Sequence, residues 1–179
     1  MSQATNERGL LMVYTGNGKG KTTAALGQAL RAIGHGRKVC VVQFMKGSKN
    51  YGELQAAAML VPNLVIVQSG LETFVDSHHP AQIDIDLARR GLEVARNAAA
   101  SGEYQLIILD EINVALDFHL LALEEVIQFI REKPPRLDLI LTGRRAAPEI
   151  VGLADLVSEI VEVKHHYTAG VEAREGIEF

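Results

Sequence analysis

The chain of 179 residues carries a net charge of −4, with 47% hydrophobic but only 5% aromatic residues. Scattered Lys and Arg residues and few rings for stacking argue against a nucleic-acid partner, and a single cysteine, Cys40, excludes an internal disulfide and a cysteine-based zinc site. No apolar run is long enough to cross a bilayer and the polar N-terminus lacks a signal-peptide core, so we expect a cytoplasmic protein without a membrane partner.

The first predicted elements are a strand over about residues 10–15, a glycine-rich turn, and a helix that ends near Ile33. Three glycines in the turn let backbone N–H groups converge on an anion, and the helix adds its free N–H groups and its dipole. Lys21 supplies a charge for phosphates and Thr22 a hydroxyl ligand for Mg²⁺. The predicted phosphate-binding loop comprises Gly16, Asn17, Gly18, Lys19, Gly20, Lys21, Thr22 and Thr23.

The loop departs from the usual pattern G-x-x-x-x-G-K-[ST] at its first glycine. Thr15 stands where that glycine is expected, the glycine is displaced to position 16, and an extra lysine, Lys19, lies inside the loop. A glycine-rich hairpin turn beside basic residues is the alternative. The apolar strand before the loop and the helix after it favour phosphate binding.

Strands and helices continue to alternate after the first helix. The apolar strand Val39–Phe44 includes Cys40 as a core residue and predicts a sheet covered on both faces. The polar segment 45–53 is either an ordinary surface loop or part of a ligand site, because parallel sheets bind ligands where their strands end. The next predicted elements are a helix over Leu54–Val61, a strand over Leu64–Val67, a long connection over Gln68–Pro80 and a helix from Pro80 to about Ala100.

A second motif is predicted where an apolar strand over residues 104–109 ends in two carboxylates, Asp110 and Glu111. In the Walker-B arrangement, one such acid reaches Mg²⁺, directly or through water, beside the phosphate loop. A strand followed by a solvated acidic turn is the alternative. Three polar residues in the following segment could also face the site: Asn113, Asp117 and His119.

The remaining pattern completes an α/β fold with a mainly parallel sheet and helices on both faces. After a strand at Asp138–Thr142, Arg144 is placed where an arginine can reach a phosphate. We expect one P-loop domain over residues 9–179 and a flexible arm over residues 1–8. The other elements predicted in this part are a helix around Leu123–Ile130, a helix over Pro148–Ala154, a strand over Leu156–Val163 and a polar tail that could fold over the site.

The motifs together resemble those of the ATP:corrinoid adenosyltransferase family, from about Gly9 to the last residue. The resemblance implies a RecA-like P-loop fold. The short segment before Gly9 differs from family members that have longer N-terminal segments. The resemblance rests on residues 16–23, 41–47, 109–111, 142–144, 153–159, 164–165, 169–171 and 176–177.

The resemblance implies transfer of the 5′-deoxyadenosyl group of ATP to the Co(I) centre of a corrinoid, with release of triphosphate. ATP is expected to lie reversed along the loop, so that its 5′ carbon meets the cobalt. Because Co(I) is a strong nucleophile, orientation and electrostatics should supply most of the catalysis. The corrinoid is expected to be cobalamin, cobinamide or cobyrinic acid a,c-diamide, as part of cobalamin biosynthesis or salvage.

In this hypothesis, Lys21, Lys19 and the loop amides bind the triphosphate. Thr22 and Glu111 are the first choices as Mg²⁺ ligands, and Asp110 is the second. The expected catalytic residues are Lys21, Thr22 and Glu111.

Four other residues are expected to contact a substrate. Arg144 and, by motif match, Arg31 would reach phosphates, although a solvated helix charge is an equal alternative for Arg31. The family eases reduction of Co(II) by displacing its lower axial ligand with apolar side chains, for which Leu71 and Phe74 are the candidates. Core packing is an equal alternative for Phe74. The resemblance alone implies a reduced flavoprotein as electron donor and a homodimer.

Two other functions fit the phosphate loop. A P-loop ATPase or nucleotide-dependent regulatory module would use the same loop with Asp110 and Glu111, and would release phosphate from ATP without a corrinoid. A small-molecule kinase would need an acceptor hydroxyl and a base that the sequence does not identify. The adenosyltransferase hypothesis predicts triphosphate, released only with a reduced corrinoid.

Overall fold

The computed structural model describes residues 8–179. Residues 1–7 of the expected arm lie outside the described part. The Arg8 guanidinium forms an ion pair with Asp155, whose other carboxylate oxygen accepts a hydrogen bond from the N–H of Leu11 at 2.8 Å. The described chain is therefore attached to the domain from its first residue.

Helices and strands alternate through the described residues as the sequence predicts. No helix in this part of the chain combines the length and apolar character that membrane crossing requires. In chain order the elements are β1 (Leu11–Thr15), α1 (Lys21–Gly34), β2 (Val39–Phe44), α2 (Gly52–Met59), β3 (Leu64–Ser69), α3 (Gln82–Ser101), β4 (Leu106–Asp110), α4 (Ile112–Asp117), α5 (Leu123–Glu132), β5 (Asp138–Thr142), α6 (Pro148–Leu153) and β6 (Leu156–Glu159), followed by a 3₁₀ turn over Tyr167–Ala169.

The strands form one sheet in the order β3-β2-β4-β5-β1-β6, and every neighbouring pair is parallel. The predicted parallel sheet is therefore confirmed. Because the strands are parallel, the segments that follow β1, β5, β4 and β2 leave the sheet at one edge, side by side. The pairing of Tyr14 with Thr142 and of Gln43 with Asp110 shows that these ends are closely aligned.

Helices cover both faces of the sheet, as predicted. Along β2, Val39 and Val41 belong to a core that contains residues of α1 and α2. Cys40 and Val42 belong to the opposite core, with residues of α3 and α5. This alternation follows from the two-residue period of a strand. Cys40 is 2% exposed, which confirms it as a core residue, and burial raises the pKa of its thiol to about 11.

Several elements differ in their bounds from the sequence prediction, β3 and α3 among them. β6 ends at Glu159 rather than Val163, because Glu159 pairs with Thr15, the last residue of its neighbour β1. α2 begins and ends two residues earlier than predicted, a difference common at helix ends. α4 has no counterpart in the prediction, because its six residues are too few to show a helical repeat.

Candidate active site

A pocket of about 510 Å³ opens at the edge where β1, β5, β4 and β2 end. The phosphate loop forms one wall, the loop after β2 and the start of α2 form another, and the chain's tail contributes the last. The charged residues that line it are Lys19, Lys21, Lys46, Glu53, Glu111, Arg144 and Glu178.

The three glycines of the phosphate loop are needed for different reasons. Gly20 has φ 119° with open space around it, so its backbone conformation alone favours glycine. A Cβ on Gly16 would lie 2.5 Å from the carbonyl oxygen of Ile160, and a Cβ on Gly18 would lie 2.8 Å from it. The N–H of Gly18 donates to that carbonyl at 2.7 Å. This N–H therefore holds the loop against the segment after β6, whereas the sequence prediction assigned the loop amides to an anion.

Lys21 is the first residue of α1, and its side chain folds back over the loop. Its Nζ donates to the carbonyl oxygens of Gly16 and Gly18, both at 2.8 Å. Burial lowers the pKa of this ammonium, and the negative charge of Glu111 partly opposes that effect. An ammonium has three N–H donors, so one remains for a ligand in the pocket.

Asp110 is the centre of a buried hydrogen-bond network at the end of β4, with no exposed surface. Its Oδ1 accepts from the hydroxyls of Thr22 at 2.8 Å and Thr142 at 2.7 Å. Its Oδ2 accepts from Lys46 Nζ at 2.9 Å and Gln43 Nε2 at 3.3 Å. The network joins the ends of β5, β4 and β2 to the first turn of α1.

Glu111 faces the pocket because the backbone turns sharply after Asp110. Its φ is 64°, an unfavourable conformation for a non-glycine residue, and its N–H donates to Thr142 Oγ1 at 2.9 Å. Burial and the neighbouring charge of Asp110 raise the pKa of the Glu111 carboxyl, while Lys46 and Lys21 lower it. The two adjacent acids therefore differ: Asp110 is enclosed in the network and Glu111 lines the pocket.

Arg144 lines the pocket where β5 ends. It follows Gly143, whose φ of 126° favours glycine. A Cβ added at Gly143 would lie 3.0 Å from the Asn113 Cβ. Asn113 is buried and donates to the Gly143 carbonyl at 3.4 Å, so it supports this turn. Asp117 and His119 lie outside the pocket, in a different groove, because α4 turns the chain away. The expectation that they face the site is wrong.

Some of the other predicted site residues lie in the pocket, and others lie outside it. Thr23 lines the pocket, whereas Asn17 is exposed outside it. Lys19 Nζ donates to the carbonyl of Ile177 in the tail at 3.0 Å. Arg31 lies in the last turn of α1, about 15 Å along the helix axis from Lys21 at the usual rise per residue, and outside the pocket.

Leu71 and Phe74 lie in the loop after β3, outside the pocket. The exposed fractions are 38% for Leu71 and 105% for Phe74, so the core-packing alternative for Phe74 is wrong. This loop touches the segment after β2 through its backbone. A Cβ on Gly47 would lie 2.5 Å from the carbonyl oxygen of Gly70, and a Cβ on Gly70 would lie 2.5 Å from the N of Lys46.

The sequence did not single out several residues of the pocket. Segment 45–53 was open to two interpretations, and the structure places Lys46, Tyr51 and Glu53 in the pocket wall. Two signals pointed to this segment: its position after a strand, and residues 41–47, which belong to the motifs that carry the family resemblance. The tail, which the sequence indicated could fold over the site, lines the pocket through His165 and residues 176–179.

The oxygen atoms beside the loop suit Mg²⁺. Thr22 and Glu111 line the pocket with a hydroxyl and a carboxylate, which are hard donors. The carboxylate of Asp110, the second predicted ligand, is enclosed in its hydrogen-bond network behind Thr22. Within residues 8–179, no group of three or more His, Cys, Asp or Glu side chains could hold a metal by itself. Mg²⁺ held by one or two carboxylates together with substrate phosphates fits this arrangement.

Two solved structures share the fold. The KaiC-like protein PH0186 from Pyrococcus horikoshii OT3 has a TM-score of 0.56 at 16% identity, over 86% of this chain and 73% of that chain. The RadB recombinase has a TM-score of 0.57 at 15% identity, over 89% and 77%. The RecA-like P-loop fold is therefore confirmed.

Sequence comparison identifies the family. A corrinoid adenosyltransferase from Escherichia coli (strain K12) is 41% identical over 179 residues, which cover 100% of this chain and 90% of that relative. The family model of ATP:corrinoid adenosyltransferase BtuR/CobO/CobP matches residues 7–179. This chain therefore belongs to the ATP:corrinoid adenosyltransferase family.

Proposed function

We propose that this protein transfers the 5′-deoxyadenosyl group of ATP to the Co(I) centre of a corrinoid and releases triphosphate. The observation that carries the proposal is the family match over residues 7–179. The cations that line the pocket support it, because a triphosphate leaving group needs several positive charges; they are Lys19, Lys21, Lys46 and Arg144. The proposed corrinoid is cobalamin, cobinamide or cobyrinic acid a,c-diamide.

In the proposed step, the electron pair of Co(I) forms a bond to C5′ of ATP. The bond between C5′ and its oxygen breaks, and triphosphate leaves with that electron pair. No proton is transferred, so the pocket needs no general base. The chain has to hold C5′ in line with the cobalt and stabilise the charge of the departing triphosphate.

The phosphate side of the pocket suits the second task. Lys21 keeps one N–H donor for a phosphate, and Arg144 adds a second cation to the lining of the pocket. The N-terminus of α1 contributes its dipole and free N–H groups. Because these groups are already in place, little reorganisation is needed when triphosphate forms.

Mg²⁺ is proposed as the accompanying cation. Thr22 and Glu111 would hold it, and Asp110 would support it through its hydrogen bond to Thr22. When bound, Mg²⁺ neutralises charge on the phosphate oxygens.

The loop after β3 is proposed to contact the corrinoid. Leu71 and Phe74 present apolar surface to solvent, which suits a role in displacing the lower axial ligand of Co(II). A reduced flavoprotein is the proposed electron donor. A cytoplasmic homodimer is the proposed working form, which sedimentation in dilute solution can test.

The experiment that tests this function is an anaerobic assay with ATP, Mg²⁺ and chemically reduced cobalamin, followed by the corrinoid spectrum. We expect a new product whose cobalt–carbon bond is cleaved by light, and no product when ATP is omitted. A Lys21→Ala variant is the control for catalysis by this site. An unchanged corrinoid spectrum, with phosphate released from ATP alone, would contradict the proposal and favour a P-loop ATPase.

A further inference from the structure

Lys46 occupies a position in the pocket that the proposed mechanism does not use. It lies just after β2, and its side chain is 18% exposed. Its Nζ donates to Asp110 Oδ2 at 2.9 Å, lies 3.9 Å from Glu53 Oε1 and lies 5.4 Å from the centre of the Tyr51 ring. These contacts hold a long, flexible side chain at one place in the pocket wall.

Asp110 does not depend on Lys46 for its hydrogen bonds. The hydroxyls of Thr22 and Thr142 and the amide of Gln43 already donate to its two oxygens. An ammonium has three N–H donors, and the bond to Asp110 uses one. Glu53, at 3.9 Å, is beyond hydrogen-bond distance. Lys46 therefore retains donors for a ligand.

Lys46 is also held as a cation by the carboxylate beside it. Its Nζ forms an ion pair with Asp110 Oδ2 at 2.9 Å, which fixes the ammonium in the pocket wall. A fixed cation that keeps free donors in a phosphate pocket is suited to bind an anionic oxygen.

Asp110 links Lys46 to the phosphate loop through hydrogen bonds to both. Thr22 is bonded to Oδ1 and Lys46 to Oδ2, so the two side chains flank one carboxylate. The ends of β1, β5, β4 and β2 lie in this order along the edge of the sheet. A phosphate chain that begins at the loop and extends past Thr22 towards β2 therefore meets Lys46.

We propose that Lys46 is a second triphosphate-binding lysine, which makes the pocket selective for a chain of three phosphates over shorter chains. The inference rests on the proposed function in taking triphosphate as the leaving group. Lys21 would bind the part of the chain at the loop, and Lys46 the part nearer β2. Glu53 and Tyr51 act as positioning residues that hold the Lys46 ammonium.

The test is isothermal titration of the full chain with inorganic tripolyphosphate and pyrophosphate, both with Mg²⁺ and without a corrinoid. Lys46→Met removes the charge at similar volume. Lys38→Met is the matched control, because Lys38 lies at the other end of β2 in an exposed ion pair with Glu103. We expect Lys46→Met to weaken tripolyphosphate binding about 10- to 100-fold, pyrophosphate binding much less, and Lys38→Met to change either less than about twofold.

A structural role for Lys46 gives a different result. It predicts a lower melting temperature for Lys46→Met with tripolyphosphate affinity equal to that of Lys38→Met, and this outcome overturns the inference. If Lys46→Met does not fold, acylation of lysines in the unaltered protein, read by mass spectrometry, replaces it. Tripolyphosphate should protect Lys46 and leave Lys38 unprotected, and equal labelling of Lys46 with and without tripolyphosphate overturns the inference.

The adenosyl-transfer assay separates this inference from the proposed function. Lys46-dependent tripolyphosphate binding without adenosyl transfer contradicts only the proposed function. Adenosyl transfer by a protein whose tripolyphosphate affinity is independent of Lys46 contradicts only the inference.

Discussion

The pocket and the loop after β3 are built in opposite ways. In the pocket, which forms the phosphate side of the proposed site, Asp110 is fully buried and accepts four hydrogen bonds from groups at the ends of two strands and one helix. The loop after β3 lies outside the pocket and forms the apolar side, where Leu71 and Phe74 are exposed to solvent. That loop contacts the segment after β2 through the backbones of Gly47 and Gly70.

The difference indicates which part of the reaction the free protein is prepared for. The phosphate side is in place before any substrate binds, which is the arrangement that stabilises developing charge at least cost. The apolar side acquires partners only when another molecule supplies them. Substitutions on the phosphate side should therefore change stability and turnover together, whereas those on the apolar side should change turnover alone.

The largest expected effect is that of Lys21→Ala. It removes the ammonium that bridges two loop carbonyls and faces the phosphates, so adenosyl transfer should fall at least about 1,000-fold. Initial rates with chemically prepared Co(I) measure the loss directly. Near-normal activity would remove the phosphate loop from the mechanism.

Asp110→Asn should damage both folding and turnover. The amide cannot accept hydrogen bonds at both positions and leaves the Lys46 ammonium without its carboxylate, at a cost of about 3 kcal/mol in the free energy of unfolding. Urea denaturation and initial rates provide the two measurements. Wild-type stability would show that the buried network does not hold the site together.

Gly18→Ala should destabilise the loop because the new methyl group meets the backbone of residues 160–161 at 2.8 Å. We expect a loss of about 1–3 kcal/mol in the free energy of unfolding, together with weaker ATP binding. Gly27→Ala on α1 is the matched control, since open space surrounds Gly27 and alanine favours a helix by about 0.5–1 kcal/mol. Equal effects of the two substitutions on the free energy of unfolding would contradict the conclusion that residues 160–161 hold the phosphate loop in place.

Phe74→Ala should leave the melting temperature unchanged, because the ring is fully exposed. Turnover from Co(II) with a mild reductant should fall about tenfold, whereas turnover from prepared Co(I) should change little, since lower-ligand displacement matters only for reduction. The ratio of the two rates is the measurement. Equal losses in both assays would argue against a role in ligand displacement.

The smallest expected effect is a pH-dependent difference in the free energy of unfolding between Glu111→Gln and wild type. The pKa of Glu111 is raised in the folded protein by burial and by Asp110, so the folded state favours the protonated carboxyl. Its charged form therefore destabilises the protein as pH rises through that raised pKa. Glu111→Gln should be slightly more stable than wild type near pH 7, and the difference should vanish below the ordinary carboxyl pKa of 4.5. Denaturation curves at several pH values test this, and a difference that grows at low pH would contradict it.

The sequence predicted the parts of the site that are local. The phosphate loop and the Asp110–Glu111 pair follow strands directly, so their position needed no knowledge of the strand order. Thr142 and Lys46 join the site because β5 and β2 flank β4, an order that the alternation of elements does not encode. The places of Thr142 and Lys46 in the site could therefore be recognised only once the strand order was known.

Two further differences between the sequence prediction and the structure also depend on how the elements are arranged in the fold. Gly18 is required by the carbonyl of Ile160, which lies far along the chain and approaches only in the folded sheet. Arg31 follows the phosphate loop on the same helix, but the helix axis leads it away from the pocket. Helix and strand patterns predicted the elements, and long-range contacts decided which side chains meet.

The most direct test of the central claim is ³¹P NMR of the anaerobic reaction with ATP, Mg²⁺ and reduced cobalamin. We predict one inorganic triphosphate for each light-sensitive cobalt–carbon bond formed, and none when the corrinoid is omitted. ADP and orthophosphate that appear with or without the corrinoid would contradict adenosyl transfer and identify the protein as an ATPase.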